Sequence, residues 1–224
     1  MQESVLIVGA GSGLSASLAR LCKSKGMKVV LAARDIEKLK KLKKEINADT
    51  IKCDATNIKS VSNLFKKTDQ IIDTPNLVIY NPSIRLGGSI TDIDPKKAHE
   101  AVNISCYGGF LVAQQAAKRM LKKKRGSIFF TGATASVKGF SNSSVFAMGK
   151  FGLRGLAQSL ARELHPQNIH IGHFIIDGGI DRKDYGSYKT IHPDSIAKTY
   201  LQFHYQDKSA WSWETELRTS VEKF

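Results

Sequence analysis

Short segments that are apolar throughout recur along the chain, and each is followed by a stretch of helical periodicity. A strand that is apolar on both faces is typical of a parallel sheet covered by helices on both sides. Regular alternation of such strands with amphipathic helices therefore predicts an α/β fold, a doubly wound parallel sheet in a single domain. The predicted strands are 5–8, 27–33, 50–53, 77–80, 127–130 and 169–176. The predicted helices begin near Leu14, Ile36, Ile58, Pro95, Ser143 and Asp194.

Length and composition fit one globular domain over residues 1–224. The chain has 224 residues, of which 42% are hydrophobic and 24% charged, which is ordinary for a globular protein. A tail of uncertain structure starts at about residue 206, and with Trp211 and Trp213 it either forms an edge strand or packs on a subunit neighbour.

Targeting features and cysteine spacing favour a cytoplasmic protein. No apolar run approaches the roughly 18 residues that a membrane-spanning helix needs, so no membrane partner is expected. The chain begins without a basic and apolar leader. Cys22, Cys53 and Cys106 share no redox or metal-ligand spacing, so we expect reduced thiols and no metal site.

The net charge of +14 raises the question of a nucleic-acid partner. Its main sources are the lysine-rich segments 38–44 and 122–125. The first has leucines on one side and lysines on the other, which indicates a solvated helix face, and the second ends a helix, where cations suit the helix dipole. Neither has interleaved aromatic residues, so we expect no specific nucleic-acid binding but some attraction for an anionic cofactor.

A glycine-rich turn joins the first strand to the first helix. Glycines at this position let the backbone approach a pyrophosphate, and the helix N-terminus offers N–H donors. The dinucleotide pattern Gly-x-Gly-x-x-Gly fails at Leu14 when it starts from Gly9, and it ends in Ala16 when it starts from Gly11. The residues predicted to bind a cofactor here are Gly9, Gly11, Ser12, Gly13 and Leu14.

The end of the second strand bears on the choice between NADP(H) and NAD(H). Arg34 follows Ala33 there, and its guanidinium can pair with a 2′-phosphate, so NADP(H) is the preferred cofactor. Two alternatives remain open. Asp35 can bind a ribose 2′-hydroxyl, which makes NAD(H) possible, and Arg34 can instead be a surface residue at the start of the next helix.

The helix that follows the fifth strand carries Phe146 and Lys150 one turn apart on the same face. The chain resembles the short-chain dehydrogenase/reductase family over about residues 4–205. The resemblance rests on the glycine turn, Asn81, Asn103 and this helix, in this order and spacing. The family motif in this helix is Tyr-x-x-x-Lys, and here it is Phe-x-x-x-Lys. The resemblance implies a Rossmann-like fold, hydride transfer between a nicotinamide cofactor and a carbonyl or alcohol carbon, and a divergent subgroup that lacks the tyrosine.

The resemblance also assigns roles to particular residues. Lys150 would bind the nicotinamide ribose, and Asn103 would hold a water behind that lysine. Asp54 would contact the adenine, although it can equally cap the third helix. Asn81 would lie along the adenosine ribose, and Ile180 would offer its N–H to the nicotinamide amide.

Three departures from the family pattern concern the cofactor loops and the reacting oxygen. The third glycine of the family's first turn is Ser15, which either crowds the phosphates or donates a hydrogen bond to one of them. The loop after Asn81 has Pro82 and Ser83 in place of Ala and Gly. The active-site serine position holds Ala133, so both groups that act on the reacting oxygen are absent and the proton donor is atypical or impaired.

Other residues are candidates for the missing acid. Tyr185 and Tyr188 lie in the loop 177–190 beyond the sixth strand, where ligands bind in such sheets, and they are the preferred candidates. Arg182 in the same loop can bind an acidic substrate or the cofactor phosphates. The remaining candidates are Thr134, Ser136, Tyr107, His173 and Asp177.

Two hypotheses for the function follow from the sequence. The first is an NADP(H)-dependent oxidoreductase acting on a small substrate of unknown identity, and the second is a non-catalytic NADP(H)-binding sensor or partner subunit. The resemblance further implies a homodimer or homotetramer formed through the helices 95–121 and 143–165. Small residues would permit close approach of these helices, namely Gly108, Gly109, Gly152 and Gly155.

Overall fold

The fold is a parallel sheet with helices on both faces, as the sequence predicts. The computed structural model describes residues 2–181 and 188–221, which form a seven-stranded sheet in the order β3-β2-β1-β4-β5-β6-β7. The strands are β1 (Ser4–Val8), β2 (Lys28–Ala33), β3 (Asp49–Lys52), β4 (Leu77–Tyr80), β5 (Gly126–Thr131), β6 (Ile169–Asp177) and β7 (Glu214–Arg218). The α-helices are α1 (Leu14–Ser24), α2 (Lys40–Ile46), α3 (Ile58–Ile72), α4 (Pro95–Val102), α5 (Gly108–Lys123), α6 (Ser144–Leu164) and α7 (Pro193–His204).

The central strands are apolar on both faces because each face packs on a separate core. On one face, Leu18 of α1 and Tyr200 of α7 are fully buried against the sheet. On the other, Leu64 of α3, Val112 of α5 and Leu153 of α6 are buried in a second cluster. Strands β1 and β4 are neighbours although β2 and β3 lie between them in sequence, so the chain direction across the sheet reverses between them. In sheets of this kind ligands bind at that point, outside the carboxyl ends of the strands.

The predicted long helix over 95–121 has three parts. Asp94 caps α4 by accepting a hydrogen bond from Lys96 N–H, and Pro95 occupies the first turn, as expected. One turn of π-helix, Asn103–Tyr107, then separates α4 from α5. Such π-turns are rare and occur frequently at functional sites.

The tail from about residue 206 ends in an edge strand, the first of the two alternatives. Strand β7 pairs in parallel with β6. Glu214 of β7 accepts hydrogen bonds from Arg154 of α6, at 2.6 and 2.8 Å, and its Oε2 lies 2.9 Å from Nδ1 of His173. These contacts fix the edge strand to the body of the sheet.

At three of the four glycines expected at a subunit interface, other residues of the same chain fill the space that a side chain would take. A Cβ on Gly108 would meet the Tyr80 hydroxyl, one on Gly109 would meet Leu153, and one on Gly152 would meet Cys106. Only Gly155 of the four has nothing within 4 Å among the described residues. The small residues therefore let the elements of one chain approach closely. No helix within the described residues is both long and apolar enough to cross a membrane.

Candidate active site

A cleft runs along the carboxyl ends of the strands, across the point where the strand order reverses. It consists of two adjoining cavities of about 820 and 580 Å³, and Asn81 and Ser83 line both of them. The larger cavity extends from the glycine turn to Arg34, and the smaller extends to Lys150. We call them the turn cavity and the lysine cavity.

The glycine turn forms an open cradle at the start of α1. Gly9 has a φ of +80°, and a Cβ there would lie 2.6 Å from the Pro82 nitrogen, so this position requires glycine. Gly11 and Gly13 have nothing within 4 Å of a Cβ position, which leaves space for a ligand against the backbone. Gly13 is the N-cap of α1 and has no side chain that could accept a hydrogen bond. The first N–H groups of the helix therefore have no side-chain capping partner. The turn therefore fits a dinucleotide pyrophosphate.

The hydroxyl of Ser15 points into the fold and has neither of the two expected roles. It is buried, donates a hydrogen bond to Gly9 O at 3.1 Å and accepts one from Asn81 Nδ2 at 2.7 Å. Ser15 therefore joins the glycine turn to the end of β4. It neither crowds the phosphate cradle nor offers its hydrogen there.

Positive charge lies at the end of the turn cavity next to β2. The side chain of Arg34 is 63% exposed, lines the cavity and makes one long ion pair, 3.7 Å to Glu100. Lys38 lines the same cavity, although its lysine-rich segment has the pattern of a solvated helix face. Asp35, the residue that would favour NAD(H), accepts a hydrogen bond from Glu37 N–H and lies 3.5 Å from the Lys38 ammonium. Its carboxylate is thus already partnered, whereas Arg34 is largely available.

Asp54 lines the turn cavity, but it does not cap the third helix. Its Oδ1 accepts hydrogen bonds from the N–H and the hydroxyl of Thr56. The N-cap of α3 is Asn57, which accepts a hydrogen bond from Ser60 N–H. The capping alternative for Asp54 is therefore wrong, and its adenine contact stays a prediction.

Lys150 is buried at the base of the lysine cavity. Its side chain is 3% exposed, and its ammonium donates a hydrogen bond to Thr131 O at 2.8 Å. Burial lowers the pKa of Lys150 to about 8, because removal from water disfavours the charged form. A buried ammonium with one carbonyl partner retains donors for a ligand hydroxyl.

Phe146 stands beside this ammonium and supplies no hydroxyl. Lys150 Nζ lies 5.9 Å from the centroid of the Phe146 ring, and Arg85 Cζ lies at the same distance from it. Ala133, at the position of the family serine, lines the same cavity. The sequence gives no signal for Arg85, because a single arginine in a loop belongs to no motif.

Asn103 begins the π-turn, and this turn packs against α6. A Cβ on Gly149, next to Lys150 in sequence, would lie 2.6 Å from Cβ of Ser105 in the turn. The amide nitrogen of Asn103 lies 3.2–3.3 Å from the ring nitrogens of His99. The predicted pair Asn103 and Lys150 therefore belongs to two elements in close contact.

Known proteins share both the sequence pattern and the fold of this chain. The profile of the short-chain dehydrogenase family matches residues 3–181. The chain belongs to the short-chain dehydrogenase family. An uncharacterized oxidoreductase of Staphylococcus aureus (strain USA300) is 28% identical over 207 residues, covering 88% of both chains. The 3-oxoacyl-[acyl-carrier-protein] reductase of Bos taurus is 24% identical over 173 residues, covering 76% of this chain and 73% of that protein.

Solved structures of short-chain dehydrogenases share the fold. One from Rhodopseudomonas palustris is 34% identical, has a TM-score of 0.86, and the match covers 96% of this chain and 98% of that one. A metagenomic short-chain oxidoreductase in complex with NADP is 23% identical, with a TM-score of 0.86 and 98% coverage of both chains. The second likeness shows the fold alone.

Most of the residues predicted as alternative proton donors are committed to other contacts. Thr134 lines the lysine cavity, but its hydroxyl donates a short hydrogen bond to Asp177. Asp177 in turn forms an ion pair with Arg218 of β7, at 2.9 Å. The hydroxyl of Ser136 is buried and accepts a hydrogen bond from Ala133 N–H at 3.1 Å.

His173 lies fully buried beneath the lysine cavity. Burial lowers its pKa to about 4, so the imidazole is neutral at neutral pH. Its Nδ1 pairs with Glu214, and a Cβ on Gly132 would meet its Nε2. This histidine is therefore a packed residue of the sheet with no access to a substrate.

The tyrosine candidates do not line the cleft where the structure describes them. Tyr107 is partly exposed and stacks on Phe110, with ring centroids 6.0 Å apart. Tyr188 is 61% exposed and is not part of either cavity wall. Tyr185 and Arg182 lie outside the described residues.

The turn after β6 closes the far side of the lysine cavity. Gly178, Gly179 and Ile180 all line it, and Ile180 bridges to Ile191. Gly178 has a φ of +150°, a conformation that L side chains rarely adopt, so glycine is required there. The described residues contain no group of three or more His, Cys, Asp or Glu side chains that could hold a metal ion.

Proposed function

We propose that this chain is an NADP(H)-dependent oxidoreductase that transfers hydride to or from the carbon of a small carbonyl or alcohol. The observation that carries the proposal is the continuity of the cleft. Its turn cavity has Arg34 and Lys38 at one end, and the adjoining lysine cavity has the buried Lys150 at the other. Arg34 with Lys38 fits a 2′-phosphate, the glycine turn fits a pyrophosphate, and Lys150 fits a nicotinamide ribose.

Each part of the cleft offers a suitable partner for the cofactor. Gly11, Ser12, Gly13 and Leu14 would hold the pyrophosphate through backbone N–H groups at the start of α1. Gly9, whose own N–H donates to Ala32 O at 2.9 Å, would contribute the shape of the turn. Asp54 would bind the adenine and Asn81 the adjacent ribose. Lys150 would bind the nicotinamide ribose, and Ile180 would bind the carboxamide through its N–H.

The preference for NADP(H) rests on charge. Arg34 is exposed, and its long contact to Glu100 is weak enough to be replaced by a phosphate. Arg34, Asp35 and Lys38 together leave a net positive charge at this end of the cavity. Asp35 is held by Glu37 N–H and by Lys38 at 3.5 Å. NAD(H) is the weaker candidate, since Asp35 would have to give up these partners to bind a ribose 2′-hydroxyl.

The chemistry expected of the site is hydride transfer with slow proton transfer. NADPH held by these residues would supply a hydride for the carbonyl carbon, and the carbonyl oxygen would take one proton to complete the alcohol. Phe146 cannot supply that proton, so we propose that solvent does. Loss of a positioned general acid typically costs about 10²–10⁴ in rate, and loss of an oxyanion donor such as the serine replaced by Ala133 about 10²–10³. Asn103 would hold a water between the π-turn and Lys150 in this scheme.

We propose assembly into a homodimer or homotetramer through the exposed apolar side chains near the α5–α6 face. Tyr107, Phe110, Met148 and Phe151 are 40–62% exposed and lie in or next to these two helices. Clusters of exposed apolar residues mark interfaces. Light scattering of the wild type and of Met148→Lys tests this, and a monomer in both would contradict it.

The experiment that tests the proposed function follows NADPH absorbance with a panel of ketones, aldehydes and 2-oxo acids. We expect slow oxidation that depends on carbonyl concentration and is lost in Lys150→Met, with circular dichroism showing that the variant is folded. Oxidation at the same rate in Lys150→Met would contradict an active site at this lysine. Saturable NADPH binding without any turnover would favour the second candidate, a non-catalytic NADP(H)-binding protein, for which the absence of both oxygen-directed groups is the supporting observation.

A further inference from the structure

The lysine cavity carries an excess of positive charge. Its charged lining residues are Arg85, Lys150 and Asp177. The carboxylate of Asp177 accepts the Thr134 hydrogen bond and lies 2.9 Å from Arg218, which also pairs with Glu216. Two cations, Arg85 and Lys150, thus face one carboxylate, and the described walls of the cavity keep a net positive charge.

Arg85 has an aromatic contact but no ion pair. Its Cζ lies over the Phe146 ring at 5.9 Å, within the range of a cation–π interaction. No acidic side chain of the described residues pairs with it. A guanidinium held by a ring keeps the N–H groups of its planar fork available for a carboxylate, which they match in geometry.

The position of Arg85 separates it from the cofactor phosphates. Arg85 lines the lysine cavity together with Phe146 and Lys150, whereas the glycine turn lines the turn cavity, to which Arg85 does not contribute. An anion next to Arg85 thus lies on the side where the substrate must meet the nicotinamide. Because the cavity measures about 580 Å³ and also has to admit the nicotinamide, little of it remains for the substrate.

We propose that the substrate is a small carbonyl compound with a carboxylate, such as a 2-oxo acid or the corresponding hydroxy acid, and that Arg85 binds the carboxylate. This inference rests on the proposed function, since it names the substrate class of the same site. Arg85 would position the carboxylate over the Phe146 ring, and the net positive charge of the cavity would draw anionic compounds into it. The phenyl ring at 146 then supports the arginine and takes no part in proton transfer.

The test uses a pair of unreactive ligands that differ in charge. Oxamate is an anionic analogue of a 2-oxo acid, and oxamide is its neutral counterpart. Calorimetric titration of the protein saturated with NADPH should give an affinity for oxamate at least tenfold higher than for oxamide. Arg85→Gln should remove most of this difference and leave NADPH affinity within about twofold.

The matched control is Lys138→Gln. Lys138 also lies over a phenylalanine ring, Phe140, at 5.3 Å, and like Arg85 it is exposed, but it does not line the cavity. We expect its oxamate affinity to stay within twofold of the wild type. Equal loss in both variants would indicate a general effect of net charge and overturn the assignment to Arg85.

The outcomes also separate this inference from the proposed function. If NADPH does not bind, the proposed function fails, and oxamate titrated into the free protein then decides whether Arg85 binds a carboxylate. If NADPH binds and oxamate and oxamide bind equally, the cofactor site stands and the substrate class proposed here is wrong. Selective oxamate binding that persists in Arg85→Gln would overturn the role of Arg85.

Discussion

The Ser15 hydroxyl lies 2.7 Å from the amide nitrogen of Asn81, 66 residues later in the chain. The same hydroxyl donates to Gly9 O at 3.1 Å, so one buried group links the glycine turn to the loop after β4. Pro82, next to Asn81, packs on Gly9 where a Cβ would clash. Two departures from the family pattern, Ser15 and Pro82, thus act at one contact, which joins the glycine turn to the loop after β4.

Replacing Ser15 with alanine should loosen this contact. Asn81 Nδ2 and Gly9 O would each lose a partner in a partly buried place, so we expect a loss of about 1–3 kcal/mol in the free energy of unfolding. NADPH affinity should fall several-fold because the turn is less ordered. Ser24→Ala, an exposed serine of the same helix, is the control and should change neither quantity. Urea unfolding and NADPH titration measure both, and unchanged values in Ser15→Ala would refute the link.

The charge at the end of the turn cavity should distinguish the two nicotinamide cofactors. Arg34→Gln and Lys38→Gln should each weaken NADPH binding about tenfold or more, since each removes a cation next to the proposed 2′-phosphate. NADH binding should change less than twofold, because NADH has no phosphate at that position. Lys43→Gln in α2 serves as the control. Parallel losses for NADPH and NADH would contradict a phosphate site at Arg34.

Restoring the family's hydroxyl groups should raise the rate of carbonyl reduction. Phe146→Tyr places a phenol within reach of the Lys150 ammonium and the Arg85 guanidinium, and Ala133→Ser adds a hydrogen-bond donor in the same cavity. We expect the double variant to oxidise NADPH about 10²-fold faster with a carbonyl substrate.

Phe140→Tyr is the matched control for this gain. It adds a phenol to the same cavity wall, away from Lys150, and should leave the rate unchanged. No gain in the double variant would mean that the cavity has been reshaped for chemistry other than carbonyl reduction.

Lys150 should make the stability of the cofactor-free protein depend on pH at the alkaline end. Its pKa is about 8 in the folded chain against 10.5 for an ordinary lysine, so between these values the unfolded chain binds a proton that the folded chain does not. Stability of the wild type relative to Lys150→Met should therefore rise as pH increases from 8 towards 10.5, by on the order of 3 kcal/mol in total. Below pH 8 the full cost of the buried charge remains. Urea unfolding of both proteins at pH 7 and pH 9.5 measures the change, and a difference that does not vary with pH would contradict it.

The sheet could be predicted from the sequence because its strands carry their own pattern. Runs such as Leu77–Tyr80 are apolar on both faces, and that pattern already implies burial by helices on both sides. The π-turn Asn103–Tyr107 was not predicted, because a single widened turn leaves the hydrophobic periodicity of a long helix almost unchanged. The sequence does not decide strand β7, since Glu214 and its neighbours are polar and are held by contacts with residues distant in the sequence.

The parts of the site that the sequence predicts are those that belong to a motif. Gly9, Lys150 and their spacing belong to a motif, so the sequence indicates them directly. Lys38 and Arg85 have no motif, and only the fold brings Lys38 beside Arg34 and Arg85 over Phe146. The role of Ser15 depends on a partner in another loop, which a local pattern does not reveal.

Whether the cleft binds NADP(H) is decided by an equilibrium titration of the protein with NADPH and with NADH. We expect micromolar binding of NADPH and an affinity for NADH at least tenfold weaker. That result would establish the glycine turn and Arg34 as a working cofactor site. Absence of binding for both would contradict a cofactor site in this cleft, since the oxidoreductase proposal and the non-catalytic NADP(H)-binding alternative both require an occupied cleft.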